Sequence, residues 1–157
     1  MGDVDGQEAT AEMVAAARAG DGGALDRLFR RFAPVVHGVL LGYVQRADAD
    51  DLTQDVFETA LARLRELRED AAFPGWIVSI ARRAALDAKR RRAPFADGEA
   101  DALADAGSVE ERLDADRALR AIRALPEAYR ETLLLRLVEG LSGPEIAARA
   151  GLPPGRL

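Results

Sequence analysis

Two neighbouring stretches of this chain concentrate side chains of opposite charge, which is the chemistry of binding surfaces. One helical face within residues 48–68 gathers four polar side chains, in an arc of about 100° at 100° per residue. These side chains are Asp51, Gln54, Asp55 and Glu58. Taken alone, such a row of acids is more often a solvated face than a binding site. Residues 82–92 carry six basic side chains against one acid, a local charge of +5. That excess is larger than a helix dipole explains and indicates phosphate contacts, so the two stretches are predicted to face different partners.

The rest of the chain offers little for catalysis or metal binding. Its 157 residues include no cysteine, which excludes disulfides, thiolate ligands and cysteine nucleophiles. The single histidine, His37, lies in an apolar run and is predicted to be a hydrogen-bonded or partly exposed residue at the edge of the core. The sequence has no glycine-rich phosphate loop, no paired histidines and no nucleophile with a base. We therefore expect no enzymatic activity, no cofactor and no metal site.

Helical periodicity places both charged surfaces on amphipathic helices. The acidic helix is predicted to run from an N-cap at Asp48 to about Arg68, with an apolar side opposite its acids. The basic helix is predicted to begin near Pro74, after a loop at residues 69–72, because proline suits the first turn of a helix. The residues expected to be buried on the acidic helix are Thr53, Val56, Phe57, Ala60, Leu64 and Leu67. Those expected to be buried on the basic helix are Ile77, Ile80, Ala81, Ala84 and Ala88.

The sequence before these two helices predicts two further helices. Residues 1–7 are polar and glycine-rich and are expected to be disordered. A helix is predicted from about Glu8 to Ala19 and ends at Gly20. A longer helix is predicted from about Ala24 to Val44, in which Pro34 either introduces a kink or starts a new segment. The apolar face of that helix comprises Leu25, Leu28, Phe29, Phe32, Val36, Val39 and Leu40.

The chain after these helices divides into a linker and a second helical region. Residues 93–107 contain proline, glycine and acids without an apolar period, which is typical of a linker. Capping boxes at Ser108 and Ser142 predict two helix starts, with a third helix between them and an incomplete helix-turn-helix at the end. The residues expected to be buried there are Val109, Leu113, Leu119, Ile122, Tyr129, Leu133, Leu134, Leu137 and Val138. The predicted fold is all-α, with two small helical domains at residues 8–92 and 108–157 joined by a flexible acidic linker.

An ordered pattern runs through both charged helices. It reads Asp51-Leu52-x-Gln54-Asp55-x-Phe57, then Phe73-Pro74-Gly75-Trp76-Ile77-x-x-Ile80-Ala81-Arg82-Arg83-x-Ala85-Leu86-Asp87. This pattern resembles conserved region two of bacterial sigma factors, most closely the extracytoplasmic-function (ECF) group. In that family the acidic helix docks on the clamp helices of the beta-prime subunit of RNA polymerase. The basic helix and the loop before it open and read the minus-ten promoter element.

A second pattern covers the C-terminal helices. It reads Leu125-Pro126-Glu127-x-x-Arg130, then Leu134-Leu135-Arg136-x-x-Glu139-Gly140-Leu141-Ser142-x-x-Glu145-Ile146-Ala147. This pattern resembles conserved region four, which reads the minus-thirty-five element with a recognition helix. The sequence ends about one turn into that helix, which is too short for several base contacts. Three explanations are open: a truncated chain, a continuation outside this sequence, or a protein that has lost minus-thirty-five reading.

The resemblance implies three sets of contact residues. Polymerase contacts are expected at Asp48, Asp51, Leu52, Gln54, Asp55 and Glu58. Minus-ten DNA contacts are expected at Phe73, Trp76, Ser79, Arg82, Arg83, Leu86, Asp87, Lys89 and Arg90. The incomplete minus-thirty-five set is Ser142, Arg149, Pro154 and Arg156. Arg91 and Arg92 are expected to form only a flexible tail, and without the resemblance Trp76 would more often be a core aromatic.

The resemblance implies a non-catalytic sigma factor that binds core RNA polymerase and directs promoter recognition and melting. Its expected partners are the beta-prime clamp helices and the beta subunit of the polymerase, promoter DNA and an anti-sigma factor, with no small-molecule substrate. The alternative is an interaction protein that keeps polymerase or anti-sigma binding but cannot read a full promoter. No apolar stretch approaches the roughly 20 residues that span a bilayer, so a cytoplasmic protein is expected.

Overall fold

A computed structural model describes residues 2–92 and 109–150, and helices dominate both ranges. Seven α-helices follow one another in these ranges, which contain no strand. The first four are α1 (Gly2–Arg18), α2 (Gly22–Leu41), α3 (Arg46–Ala62) and α4 (Phe73–Arg92). The last three are α5 (Val109–Arg123), α6 (Glu127–Leu137) and α7 (Gly143–Ala150). The predicted all-α class is confirmed.

Helix α2 lies at the centre of the fold, because apolar residues recur around much of its circumference. It packs against α1, α3 and α4, and both Phe32 and Val35 are fully buried. Two aromatic pairs join α2 to its neighbours: Phe29 with Phe57 at 4.7 Å between ring centroids, and Phe32 with Phe73 edge-to-face at 5.1 Å. Each such buried side chain contributes about 1.5–3 kcal/mol of burial free energy, so α2 holds the two charged helices in fixed positions.

Helix α1 is longer than predicted, and helix α2 is continuous. Helix α1 begins at Gly2, so residues 2–7 are helical rather than disordered. The early turns have a tertiary partner that the sequence pattern does not reveal, since Arg31 Nη2 on α2 donates to the Gly6 carbonyl at 3.2 Å. Helix α2 runs unbroken through Pro34, so the proline does not start a new segment.

The ends of the acidic helix also differ from the prediction. Helix α3 begins at Arg46, so Asp48 lies in its first turn rather than at its N-cap, near the positive end of the helix dipole. The helix ends at Ala62, and a single 3₁₀ turn over Leu64–Glu66 follows. This turn still directs Leu64 toward the core, as Leu64 is only 4% exposed. All six residues expected to be buried on this helix and its turn are buried: Thr53, Val56, Phe57, Ala60, Leu64 and Leu67.

The buried side of α4 is rotated from the predicted one. Val78 and Ala85 are fully buried, although neither was expected to be. Ile80, Ala84 and Ala88 were expected to be buried and are only half-buried. Helix α4 contacts α7 as well as α2 and α3, so a second side of the helix is covered.

The C-terminal helices pack directly on the first four. Helix α6 contacts α2, and α7 contacts α1, α2 and α4. Leu134, Leu135 and Ile146 are consequently fully buried, and the core is continuous across the two predicted domains. The predicted linker at residues 93–107 and the capping residue Ser108 lie outside the described residues, as does the side chain of Val109.

This packing corrects several predictions of burial in the C-terminal helices. Leu119 and Ile122 are buried as expected. Leu113, Tyr129, Leu137 and Val138 are exposed rather than buried. Leu134 is buried as expected, Leu133 is half-buried, and Leu135 is buried although it was not expected to be.

Candidate functional site

Four side chains of α3 form an exposed surface that we call the acidic face: Asp51, Gln54, Asp55 and Glu58. Val56 and Ala60 lie on the opposite side of the helix and are each 1% exposed, so packing fixes the direction of the acidic face. Asp48 and Leu52, also predicted contacts, are half-buried. The predicted residues are thus brought together, with four of the six fully accessible.

Asp48 is engaged within the chain. Arg92 Nη2 at the end of α4 donates to Asp48 Oδ1 at 2.7 Å. Arg92 was predicted to belong to a flexible tail and instead ties the last turn of α4 to the first turn of α3. The pairing is half-exposed, so its contribution to stability is modest, on the order of 1 kcal/mol or less.

Helix α4 presents the second surface, which we call the basic surface. Its exposed members are Ser79, Arg83, Leu86, Lys89 and Arg90, and its half-buried members are Trp76, Arg82 and Asp87. Asp87 lies 3.8 Å from Arg90, a weak exposed pair that leaves the surface strongly positive. These eight predicted residues therefore share one accessible side of α4, where a polyanion can approach.

A cleft runs between α3 and α4, and side chains of both helices line it. Leu52 and Asp55 line it from α3, and Trp76, Ile80 and Arg83 line it from α4. The cleft thus combines an aromatic ring, an aliphatic floor and charged rims of both signs. A nucleotide base could stack on such an aromatic wall while its phosphate meets the arginine.

Phe73 differs from the other predicted DNA contacts of α4 because it lies in the core. It is 1% exposed and packs against Phe32 in the core. Its ring centroid lies 6.0 Å from that of Trp76, which is half-buried at the cleft. Phe73 therefore lies in the core between Phe32 and Trp76.

Arg82 on α4 is held by a residue 49 positions along the chain. Its Nε and Nη2 donate to Oε2 and Oε1 of Glu131 on α6 at 3.0 and 2.7 Å, a bidentate ion pair. The hydrogen bonding to Glu131 raises the pKa of Arg82. Sequence reasoning missed Glu131, since no periodicity within α6 marks an acid that pairs with another domain.

His37 on α2 is a hydrogen-bonded histidine at the edge of the core, as predicted. Its Nδ1 lies 2.5 Å from Glu139 Oε1, and its Nε2 lies 3.0 Å from Asp50 Oδ1. Burial lowers the pKa of His37, but the hydrogen bond and charge of Glu139, with the charge of Asp50, outweigh it and raise the pKa above the ordinary value.

The predicted minus-thirty-five residues in α7 have local roles. Ser142 and Glu145 form the predicted capping box, in which the Ser142 amide donates to Glu145 Oε2 at 2.9 Å. Arg149 Nη2 donates to Glu145 Oε1 at 3.2 Å, one turn along the same helix. Pro154 and Arg156 lie outside the described residues.

Comparison with known proteins places these surfaces in a family. Family models for sigma-70 region 2 and sigma-70 region 4 match residues 28–95 and 115–156. The chain is 32% identical over 152 aligned positions to the ECF RNA polymerase sigma-E factor of Escherichia coli K12, covering 87% of this chain and 80% of the relative. It is also 32% identical over 166 positions to the RNA polymerase sigma-H factor of Pseudomonas aeruginosa, covering 95% and 86%. The chain belongs to the ECF group of sigma factors.

Membership of the group confirms the function that the two sequence patterns predict. This sigma factor is an RNA polymerase-binding protein that recognises promoters in transcription initiation. The alternative of an interaction protein without promoter reading is not favoured, because both promoter-reading regions match their family models. Sigma factors are generally non-catalytic initiation factors. Within the two described ranges, no helix of this sigma factor is long and apolar enough to cross a membrane.

Proposed function

We propose that the acidic face of α3 is the docking surface for core RNA polymerase, through the beta-prime clamp helices. The observation that supports this most is the exposure of all four acidic-face side chains on a helix whose other side is fully buried. A fixed row of acids offers electrostatic complementarity to a basic partner helix, which raises the association rate and sets the register.

The basic surface of α4 is proposed to contact minus-ten promoter DNA. Arg83, Lys89 and Arg90 are exposed cations on one helix, suited to phosphate groups. Trp76 lies at the cleft beside Arg83, where it would stack on a base of the opened strand. Phe73 is a support for Trp76 in this proposal and not a DNA contact.

The remaining partners follow from the family and are part of the same proposal. Residues 8–92 are proposed as the polymerase and minus-ten domain, residues 93–107 as a linker and residues 108–157 as the minus-thirty-five domain. The beta subunit and an anti-sigma factor are proposed as further partners. The protein is proposed to act in the cytoplasm without catalytic activity, because the polymerase performs the chemistry.

A pull-down with core RNA polymerase tests the acidic face. The double substitution Asp51→Ala/Asp55→Ala is expected to weaken core binding about tenfold or more, equivalent to about 1.4 kcal/mol or more. A matched control is Glu8→Ala/Glu12→Ala, which removes the same charge from exposed positions of α1. Core binding that falls equally in both variants, or in neither, would contradict the proposed docking surface.

A further inference from the structure

Two glutamates of α6, and Glu139 just after it, contact polar side chains of the N-terminal region. Glu127 Oε1 accepts a hydrogen bond from the Tyr43 hydroxyl at 2.8 Å. Glu131 takes the bidentate pair with Arg82, and Glu139 Oε1 lies 2.5 Å from His37. Burial of Tyr43 and its hydrogen bond to Glu127 raise the pKa of Tyr43 to about 12. These three acids, two on α6 and one just after it, thus each meet a polar partner within residues 2–92, which is a specific interface rather than loose contact.

The apolar part of the same interface is closely fitted around Gly38 of α2. A Cβ atom at Gly38 would lie 2.6 Å from Leu135 Cδ2, on α6, and 3.1 Å from Glu139 Cγ, just after α6. Any side chain at position 38 would therefore force Leu135 to shift from its place between the two helices. Leu134 and Leu135 are fully buried there.

Two arginines of the C-terminal helices complete the end of α2. Arg123 Nε donates to the Leu41 carbonyl at 2.9 Å, and its Nη2 donates to the Val44 carbonyl at 2.6 Å. Arg130 Nη1 donates to the Gly42 carbonyl at 3.2 Å. Carbonyls at a helix C-terminus lack partners within the helix, so these bonds stabilise the docked arrangement specifically.

We propose that α6 covers part of the basic surface in a closed form of the protein, with the Glu131 carboxylate occupying the place at Arg82 that a DNA phosphate would take. Guanidinium groups bind carboxylate and phosphate with the same bidentate geometry, so the two anions compete for Arg82. This proposal rests on the proposed role of the basic surface in DNA binding.

The acidic face stays exposed in the closed form. The closed protein can therefore meet core polymerase before its DNA surface is complete, and separation of α6 from α2 and α4 is then needed for full DNA binding. If the closed form holds about nine-tenths of the molecules, the apparent DNA affinity of the free protein is reduced about tenfold.

Gly38→Ala in the full chain tests the closed form. Alanine is about 1 kcal/mol more favourable than glycine within a helix, so α2 itself is not weakened, while the new Cβ meets Leu135. We expect the radius of gyration from small-angle X-ray scattering to rise above the ~15 Å of a compact chain of this length. We also expect affinity for a fluorescent single-stranded oligodeoxynucleotide, at fixed low salt, to rise about tenfold. The matched control is Gly22→Ala, because a Cβ at Gly22 meets nothing within 4 Å.

A second variant keeps the test decisive. Glu131→Arg places a like charge against Arg82 and should also raise both the radius and the oligonucleotide affinity. The double variant Glu131→Arg/Arg82→Glu restores an opposite pair and should return the radius to the wild-type value. An unchanged radius in both Gly38→Ala and Glu131→Arg would overturn the closed form.

Failure of this inference can be told apart from failure of the proposed DNA surface. A larger radius with unchanged oligonucleotide affinity in Gly38→Ala would show that Glu131 does not compete with DNA, which overturns the inference. The double variant Gly38→Ala/Arg82→Ala then shows whether the proposed DNA surface fails as well. A fall in affinity keeps Arg82 as a DNA contact, whereas unchanged affinity removes Arg82 from the proposed DNA surface as well.

Discussion

The acidic face and the basic surface lie on neighbouring helices, yet among the described residues the C-terminal helices form an ion pair only with the basic surface. The four side chains of the acidic face are exposed, and none of them forms an ion pair with another residue that the structure describes. On the basic surface, Arg82 is paired with Glu131, and its side chain is only 38% exposed. The proposed polymerase surface is thus complete within the first four helices, whereas the accessibility of the proposed DNA surface depends on where the C-terminal helices lie.

The largest expected effect concerns the residue beneath the basic surface. Phe73→Ala should reduce the free energy of unfolding by about 3–5 kcal/mol, because it leaves a cavity next to Phe32. Urea denaturation followed by circular dichroism measures this change. Trp76→Ala, at a half-buried position, is the comparison and should cost clearly less. Equal stability of wild type and Phe73→Ala would return Phe73 to the set of candidate DNA contacts.

The two surfaces should also respond differently to opening of the closed form. Gly38→Ala is expected to raise oligonucleotide affinity about tenfold and to leave core polymerase affinity within about twofold of wild type. The reason is that α6 contacts Arg82 but leaves the acidic face exposed. Fluorescence anisotropy with labelled protein and core polymerase gives the second affinity. A parallel change in both affinities would remove the contrast between the surfaces.

The salt dependence of DNA binding tests whether a single cation of the basic surface contacts a DNA phosphate. Arg83→Ala should lower the slope of log affinity against log salt by about 0.7 for a single-stranded oligonucleotide, the value for one lost phosphate contact. Arg68→Ala, an exposed arginine before α4, should leave the slope unchanged. If the two substitutions have the same effect, DNA binding reflects overall charge and not the basic surface.

The smallest expected effect is a pH dependence of docking. His37 faces Glu139 just after α6 and both Asp50 and Arg46 on α3, and its pKa is raised above the ordinary 6.5 in the docked arrangement. A raised pKa means that docking takes up a proton, so docking is fully favoured below about pH 6.5 and weakens as the pH rises through the raised value. The radius of gyration should therefore increase with pH over that window. His37→Gln should flatten the profile, and a persisting profile would assign the proton to another group.

Much of the fold could be predicted because helical periodicity is local. The buried side of α3 was predicted from Val56, Ala60 and Leu64, and all three are buried. The capping box at Ser142 was likewise predicted, since its two residues are three positions apart. The ends of helices were predicted less accurately: the N-cap of α3 is Gln45 rather than Asp48.

The candidate site divides in the same way. The exposure of Asp51, Gln54 and Asp55 follows from their spacing opposite an apolar stripe. The burial of Phe73 does not, because an aromatic residue before a proline fits either a core position or a DNA contact. Only the position of Phe32 on another helix decides between them.

By itself, the sequence determined the helices, the segregation of charge and the family, since each depends on residues that are close together along the chain. Only the tertiary structure decided the partners of Arg82, His37 and Gly38. Glu131 lies 49 residues after Arg82, and Glu139 lies 102 residues after His37. The physical reason is that an ion pair or a close helix contact depends on the relative position of two surfaces, which no local period encodes. The accessibility of the basic surface is therefore a property of the folded chain, while its charge is a property of the sequence.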